Sequence, residues 1–233
     1  MNLKLDQIFD NIIVSGDIHG DVMPLVNKVN NQYKIHNSLI IVAGDVGMGF
    51  HKDGFYIDLF KKAGARLKKN NNTLLLVRGN HDDPDKWNDY VPFKAHWQDG
   101  KNDIRLIKDY TVISVESAGK SHNILCVGGA LSVDRTDRTI GANYWLGEPF
   151  VYDESKVESL VGITDVITHS APHFCEPILK NGIANWMAMD SKLYEDCAKE
   201  RNRVSRAQCA RNQDVHWHAL VGVHCEITRE KIV

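Results

Sequence analysis

Four short stretches carry residue types that could do chemistry, and each stands directly after an aliphatic run. Gly16-Asp17-Ile18-His19-Gly20-Asp21 follows Ile12-Ile13-Val14, and Gly44-Asp45-Val46-Gly47 follows Leu39-Ile40-Ile41-Val42. Arg78-Gly79-Asn80-His81-Asp82-Asp83 follows Leu74-Leu75-Leu76-Val77, and His169-Ser170-Ala171-Pro172 follows Val166-Ile167. Carboxylates, imidazoles and an amide in such places do nothing for a core. Their mixture of oxygen and nitrogen donors suits a borderline or hard divalent ion such as Mn²⁺, Fe²⁺ or Zn²⁺. Asp17, His19, Asp45, Asn80, His81 and His169 are too many donors for one ordinary site. Two ions sharing one carboxylate use them better, and a pair about 3.5–4 Å apart is a device for in-line displacement at phosphorus. The adjoining glycines let the backbone turn sharply and come close to a bound ion or anion.

The elements that must bring these groups together are legible as runs of Ile, Val and Leu at 11–15, 38–43, 72–77, 123–128 and 165–168. Near-continuous apolar runs of that length read as strands covered on both faces. Segments of helical period at 21–35 and 55–69 separate the first three, which predicts repeated β-α-β units. Helices are expected over 154–161 and about 190–211, with a long loop over 134–150. In an open α/β sheet the carboxyl ends of the strands converge on one edge, so donors from four separate loops would meet there. With no repeat, low-complexity tract or linker, the expectation is a single domain over 1–233 with an irregular last forty residues.

The bulk numbers exclude several function classes. A globular chain of 233 residues buries about 70% of its unfolded surface. A formal charge of -2 gives no drive toward nucleic acid or an anionic membrane. No apolar stretch approaches the roughly 18 residues that cross a bilayer, and the N-terminus lacks the apolar core of a signal peptide. Five cysteines, odd in number and without a C-x-x-C pair, fit a reduced, cytoplasmic chain.

In order, D-x-H, G-D, G-N-H-D and a strand-borne histidine resemble the calcineurin-like metallophosphoesterase superfamily over residues 11 to about 172. "GDIHGD" and "RGNHD" lean toward the phosphoprotein phosphatases, whereas "GGALSVDR" and "THSAP" look more like small bacterial and phage members. The resemblance implies a four-layer αββα sandwich of two mixed β-sheets flanked by helices. It implies that Asp17 and His19 hold a first metal, that Asp45 bridges, and that Asn80 and His169 hold a second. His81 would be the general acid at the leaving-group oxygen, oriented by Asp82 or Asp21. Arg78 would pair with the substrate phosphate, where a guanidinium binds two oxygens at once. The nucleophile would be a bridging hydroxide, with Mn²⁺ the favoured ion and no covalent phosphoenzyme.

Two motifs depart from the family pattern. Its closing G-H-x-H is not intact in "DVHWHALVGVHCE", where Gly222 is followed by Val223 and then His224. His224 is the favoured replacement ligand; His216 and His218 have H-x-H spacing but stand at the start of the apolar run. The phosphoprotein-phosphatase G-D-x-x-D-R-G reads "GDVGMGF" here, with Met48 and Gly49 in the Asp and Arg places. The expected activity is therefore hydrolysis of phosphomonoesters, nearest to a Ser/Thr phosphatase, on a phosphoprotein or small phosphoester. A phosphodiesterase or nucleotide hydrolase is the second reading, and a metal-depleted binding or regulatory protein the third. Neither nucleic acid nor membrane is expected as a partner, and oligomeric state does not follow from the sequence. Outside the constellation, His36, His51, His96 and His122 read as surface residues, and Gly128-Gly129 as a device for tight packing. The basic run 199–211 reads as the solvated face of a helix.

Overall fold

The computed structural model describes residues 2–87, 104–172, 183–209 and 216–219, and of 183, 208–209 and 216–219 the backbone alone. Nine strands and five helices occur among them, in the order β1 (Asn2–Phe9), β2 (Asn11–Ser15), α1 (Val22–Asn27), β3 (Ser38–Ala43), α2 (Asp53–Lys69), β4 (Thr73–Val77), β5 (Ile104–Leu106), β6 (Thr111–Ser117), β7 (Lys120–Val127), α3 (Glu154–Ser159), β8 (Asp165–Thr168), α4 (Ile183–Met189), α5 (Leu193–Cys209) and β9 (His216–Ala219). A π-helical turn, Lys28–Gln32, extends α1.

The strands form two sheets, β2-β3-β4-β5 and β1-β6-β7-β8-β9. The first is wholly parallel among the described strands. The second is mixed, since β6 and β7 form an antiparallel hairpin while β1, β8 and β9 join in parallel. Strands that follow one another in a parallel sheet through right-handed crossovers carry their helices on one face. Accordingly α1 and α2 both cover the face of Ile40, Val42, Leu74 and Leu76 through Leu25, Val26, Tyr56 and Phe60.

Successive residues of β3 and β4 point to opposite faces, and both faces are buried. Leu39, Ile41, Ala43, Leu75 and Val77 meet Ile113, Val115, Ile124, Cys126 and Ile167 of the mixed sheet in a second core. The far face of that sheet, Leu125, Val127 and Val166, packs on Val157 of α3 and Val204 and Ala207 of α5. The layers are thus helix, sheet, sheet, helix, as expected, with one sheet parallel rather than mixed. Burial on both faces explains why β3, β4 and β8 read as unbroken apolar runs.

The register fixes where the loops emerge. Ser15 pairs with Val42, Ala43 with Val77, and Val127 with Thr168. Asp17, Asp45, Asn80 and His169 therefore leave their strands at nearly one level. His216 and His218 pair with Asp165 and Ile167, which places both positions on the stretch of β9 leading up to that edge. His224, with His96 and His173, lies outside the described residues. His122 differs from expectation: it is buried, its Nδ1 3.1 Å from Oδ2 of Asp165. Among the described residues no helix is long and apolar enough to cross a membrane.

Candidate metal centre

Backbone hydrogen bonds knit the strand-end loops before any side chain is considered. Ile18 and His19 donate their amides to the carbonyl of Asp45 at 3.2 and 2.7 Å, and Gly20 donates to Val46 at 2.9 Å. Across the two sheets Gly129 donates to the carbonyl of Arg78 at 2.9 Å. Asp45 and His19 both have positive φ, 50° and 41°. That conformation is unusual for residues other than glycine, and it persists where surrounding structure over-determines it.

Two glycines are dictated by close approach. A Cβ on Gly44 would overlap the ring of His169, and one on Gly79 would overlap the amide and carboxylate of Asp45. Only a residue without a side chain lets β3 and β4 end this near the donor cluster.

Asp45 stands between two groups of donors. Its Oδ1 accepts the amide of His81 at 2.8 Å and lies 3.3 Å from Nε2 of His169. Its Oδ2 lies 3.8 Å from Nε2 of His19, which is also 3.8 Å from Oδ2 of Asp17. The orientation of His169 is set by its other nitrogen: Nδ1 donates to the carbonyl of Ala43 at 2.9 Å, which turns Nε2 inward toward the donor cluster. Nε2 then sits 3.0 Å from Oδ1 of Asn80, whose Nδ2 donates to Oγ of Ser132 at 3.0 Å and so keeps the amide oxygen facing in. His19 thus lies beside Asp17 and Oδ2 of Asp45, and His169 beside Asn80 and Oδ1 of Asp45. By separation alone Asp17 also groups with His169. The ion-pair contact between them, 3.7 Å, runs through Nδ1, the nitrogen that also donates to Ala43.

The electrostatics mark a place for cations. Burial and the neighbouring Asp45 charge raise the Asp17 carboxyl above its ordinary value. Burial opposes ionisation of Asp45 too, yet His169 and His81 hold it well below the ordinary range. His169 is buried, and Asp45 and Asp17 overcome that burial and lift it to about 9. Oδ1 of Asp17 is buried without a hydrogen-bond partner. Two buried carboxylates at one spot need compensating positive charge. Divalent ions supply it, and the donor set of carboxylate, imidazole and amide oxygens fits them.

His81 reaches the same place: Nε2 lies 4.0 Å from Oδ2 of Asp45, close enough for distance alone to admit it as a ligand. The same nitrogen is 2.7 Å from Nη2 of Arg138. A guanidinium there disfavours a metal ion at that nitrogen and leaves His81 at the mouth of the centre. Burial lowers the His81 pKa, and the charges of Arg138 and His19 add to that effect against Asp45.

Two sequence-based roles are corrected. Arg78 is buried, and its Nε and Nη2 donate to Oδ2 of Asp109 at 2.9 and 2.7 Å while Nη1 donates to the carbonyl of Glu148 at 2.8 Å. Its guanidinium is spent anchoring the 147–150 segment rather than facing a substrate. Asp82 is wholly buried and touches neither ring nitrogen of His81. Its carboxylate accepts the amides of Val46, Gly47, Met48 and Gly79 at 3.0, 2.7, 2.8 and 2.7 Å. It ties the loop after β3 to the loop after β4. Arg138, for which the sequence offered no role, is the cation among the described residues that reaches His81, braced by Asp134 through an ion pair of 2.7 Å. The spacing of Asp134 and Arg138, four apart in a loop, was the signal available.

A two-sheet sandwich whose strand ends gather this donor set is the architecture of a metal-dependent phosphoesterase. The family model described as calcineurin-like phosphoesterase matches residues 11–204, and the chain belongs to that family. None of the curated proteins matches it.

Proposed function

We propose that this protein is a phosphomonoesterase working with two divalent ions, Mn²⁺ the favoured one. The observation that carries the reading is the division of the Asp45 carboxylate, Oδ1 toward His169 and Oδ2 toward His19. Asp17, His19 and Asp45 would hold one ion, and Asp45, Asn80 and His169 the other. When bound, such ions act as Lewis acids and lower the pKa of water into the neutral range.

The remaining work falls to the chain's own side chains. Arg138 offers a guanidinium to the phosphoryl oxygens in the place first assigned to Arg78. His81, beside it, is a candidate to protonate the departing oxygen: with Arg138 turned to the phosphate, its Nε2 lone pair is released to take up a proton from water and hand it on. Asp134 and the carbonyl of Asn143 limit how far Arg138 turns. Two ions with an arginine suit the dianion of a monoester better than the single charge of a diester.

Purified protein should turn over p-nitrophenyl phosphate with added Mn²⁺ and retain two ions per chain, with the bis-ester the poorer substrate. Faster hydrolysis of the bis-ester would establish a diesterase instead. A folded protein that turns over neither ester with any divalent ion would remove the enzymatic reading.

A further inference from the structure

Beside the centre lies a cavity of about 320 Å³ that opens onto His19 and His81. Its floor includes the buried Met48, and its wall is made by Phe50, Phe55 and Tyr56. We infer that this cavity receives the leaving group of the substrate, and that the leaving group carries an uncharged aromatic ring. The inference rests on the phosphomonoesterase reading and adds the substrate class to it.

Chemistry and position both lead there. None of the described residues lining the cavity is a lysine, arginine, aspartate or glutamate. A second phosphate or a carboxylate placed in it would lose its water and meet only the imidazoles of His19, His51 and His81, with no lysine or arginine to hold its charge. The Tyr56 hydroxyl accepts the amides of Gly49 and His51, each at 3.0 Å, and donates to the carbonyl of Gly47 at 2.8 Å. That is the full capacity of a hydroxyl, so what Tyr56 offers a ligand is the ring. The same bonds, with Asp82 on the Met48 amide, hold the wall in place before anything binds. Phe50 and Phe55 nevertheless keep 43% and 48% of their surface in water. Large rings left exposed at the rim of a concave site are what an apolar ligand would cover. Phe50 lies nearly parallel to His81, 26° between planes with centroids 6.4 Å apart, and meets the edge of Trp145 at 5.3 Å. The histidine that would protonate the departing oxygen therefore forms one side of the cavity mouth. An ester with its phosphoryl group at the centre projects its organic part between Phe50 and Phe55, where a ring gains offset or edge contacts.

Calorimetric titration of Mn²⁺-loaded protein with phenylphosphonate and methylphosphonate tests this without turnover. The phenyl compound should bind about tenfold more tightly. In Phe55→Ala and Phe50→Ala the ratio should fall to about twofold. Equal affinities in the unaltered protein, or a preference that survives both substitutions, would overturn the aromatic pocket. A preference that behaves as expected in a protein unable to hydrolyse any phosphomonoester would leave the pocket standing and overturn the proposed activity alone.

Discussion

Arg138 and His81, fifty-seven residues apart in the chain, share a contact of 2.7 Å between Nη2 and Nε2. The pair joins the loop after β4 to the long loop after β7, and it puts a cation at the mouth of the centre where the sequence pattern offered only Arg78. The two arginines should separate cleanly. Arg138→Ala should lower kcat/KM for a phosphomonoester by about 100-fold, roughly the loss of a charge-assisted contact to the phosphoryl group. Its metal content should change little. Arg78→Ala should instead destabilise the protein by about 3 kcal/mol, because the buried Arg78 bonds to Asp109 and to the carbonyl of Glu148 are lost together and that carbonyl is left unpaired. Steady-state kinetics beside denaturant unfolding reads both, and a stable Arg78→Ala protein with weakened substrate binding would restore the original assignment.

In the proposed centre Asp45 would serve both ions, so its loss should not resemble the loss of a residue that serves one. Asp45→Asn should retain neither ion, whereas Asn80→Ala should retain about one per chain, since Asp17, His19 and Asp45 remain. Elemental analysis after dialysis counts them. Mn²⁺ should also raise the unfolding midpoint of the metal-free protein, by about 2.7 kcal/mol of stability at a hundred times its dissociation constant, and leave Asp45→Asn unmoved. Two ions per chain in Asp45→Asn would remove the bridging role.

Glu148 gives a pH dependence whose sign is fixed by its burial. Its Oε1 accepts the amide of Ser132 at 2.7 Å, while Oε2 is buried without a hydrogen-bond partner. Burial, aided by the charge of Glu200 and opposed by Ser132 and Arg138, pushes its carboxyl from 4.5 up to about 7. Between those values the folded chain keeps a proton that the unfolded chain has lost. The contribution is therefore complete below about 4.5 and lost as the pH rises through about 7. Glu148→Gln has no such proton to lose, so its stability relative to the unaltered protein should rise by about 3 kcal/mol between pH 4.5 and pH 8. Denaturant unfolding at several pH values measures the difference, and a gap independent of pH would show that Glu148 is ionised throughout.

The strands that could be read in advance are those buried on both sides. β3 and β4 present a hydrophobic residue at nearly every position because helices cover one face and the second sheet the other. β1 alternates between exposed and half-buried positions along "NLKLDQIF", and β5 spans only Ile104–Leu106, so neither makes an apolar run. β6 was hidden by its alternation, Ile113 and Val115 facing the core while Glu116 faces water. The donors themselves were legible because a polar residue just beyond a buried strand has no packing role to disguise it. What spacing could not show is which side chains turn beneath the loops and which turn out. Arg78 and Asp82 flank Asn80 and His81 in the sequence, yet both bond away from the donors, and the cation that reaches His81 comes from a loop whose regular structure is the short 3-10 turn Arg135–Asp137. The basic run on α5 hid a similar inversion. Its single acid, Glu200, is the buried member, accepting the amides of Leu131 at 3.0 Å and Phe150 at 2.9 Å.

Asp82 offers the sharpest contrast between a role inferred from neighbours in sequence and one inferred from contacts. A residue that merely steered His81 could be replaced by asparagine with little effect on folding, because the amide keeps an oxygen and a similar shape. The carboxylate of Asp82 instead accepts four backbone amides from two loops, with no exposure to water. In Asp82→Asn one of those oxygens becomes a donor pointed at donors, so at least one amide is left buried and unpaired, and the new NH₂ finds no acceptor there. Each such group costs about 1–3 kcal/mol, which places the expected loss near 3 kcal/mol. The loops being untied are those that carry Asp45 and Asn80, so metal retention should fall together with stability. Denaturant unfolding and metal analysis on the same preparation decide the matter. A variant as stable as the unaltered protein, fully loaded with metal but altered in the pH dependence of turnover, would return Asp82 to the side of His81.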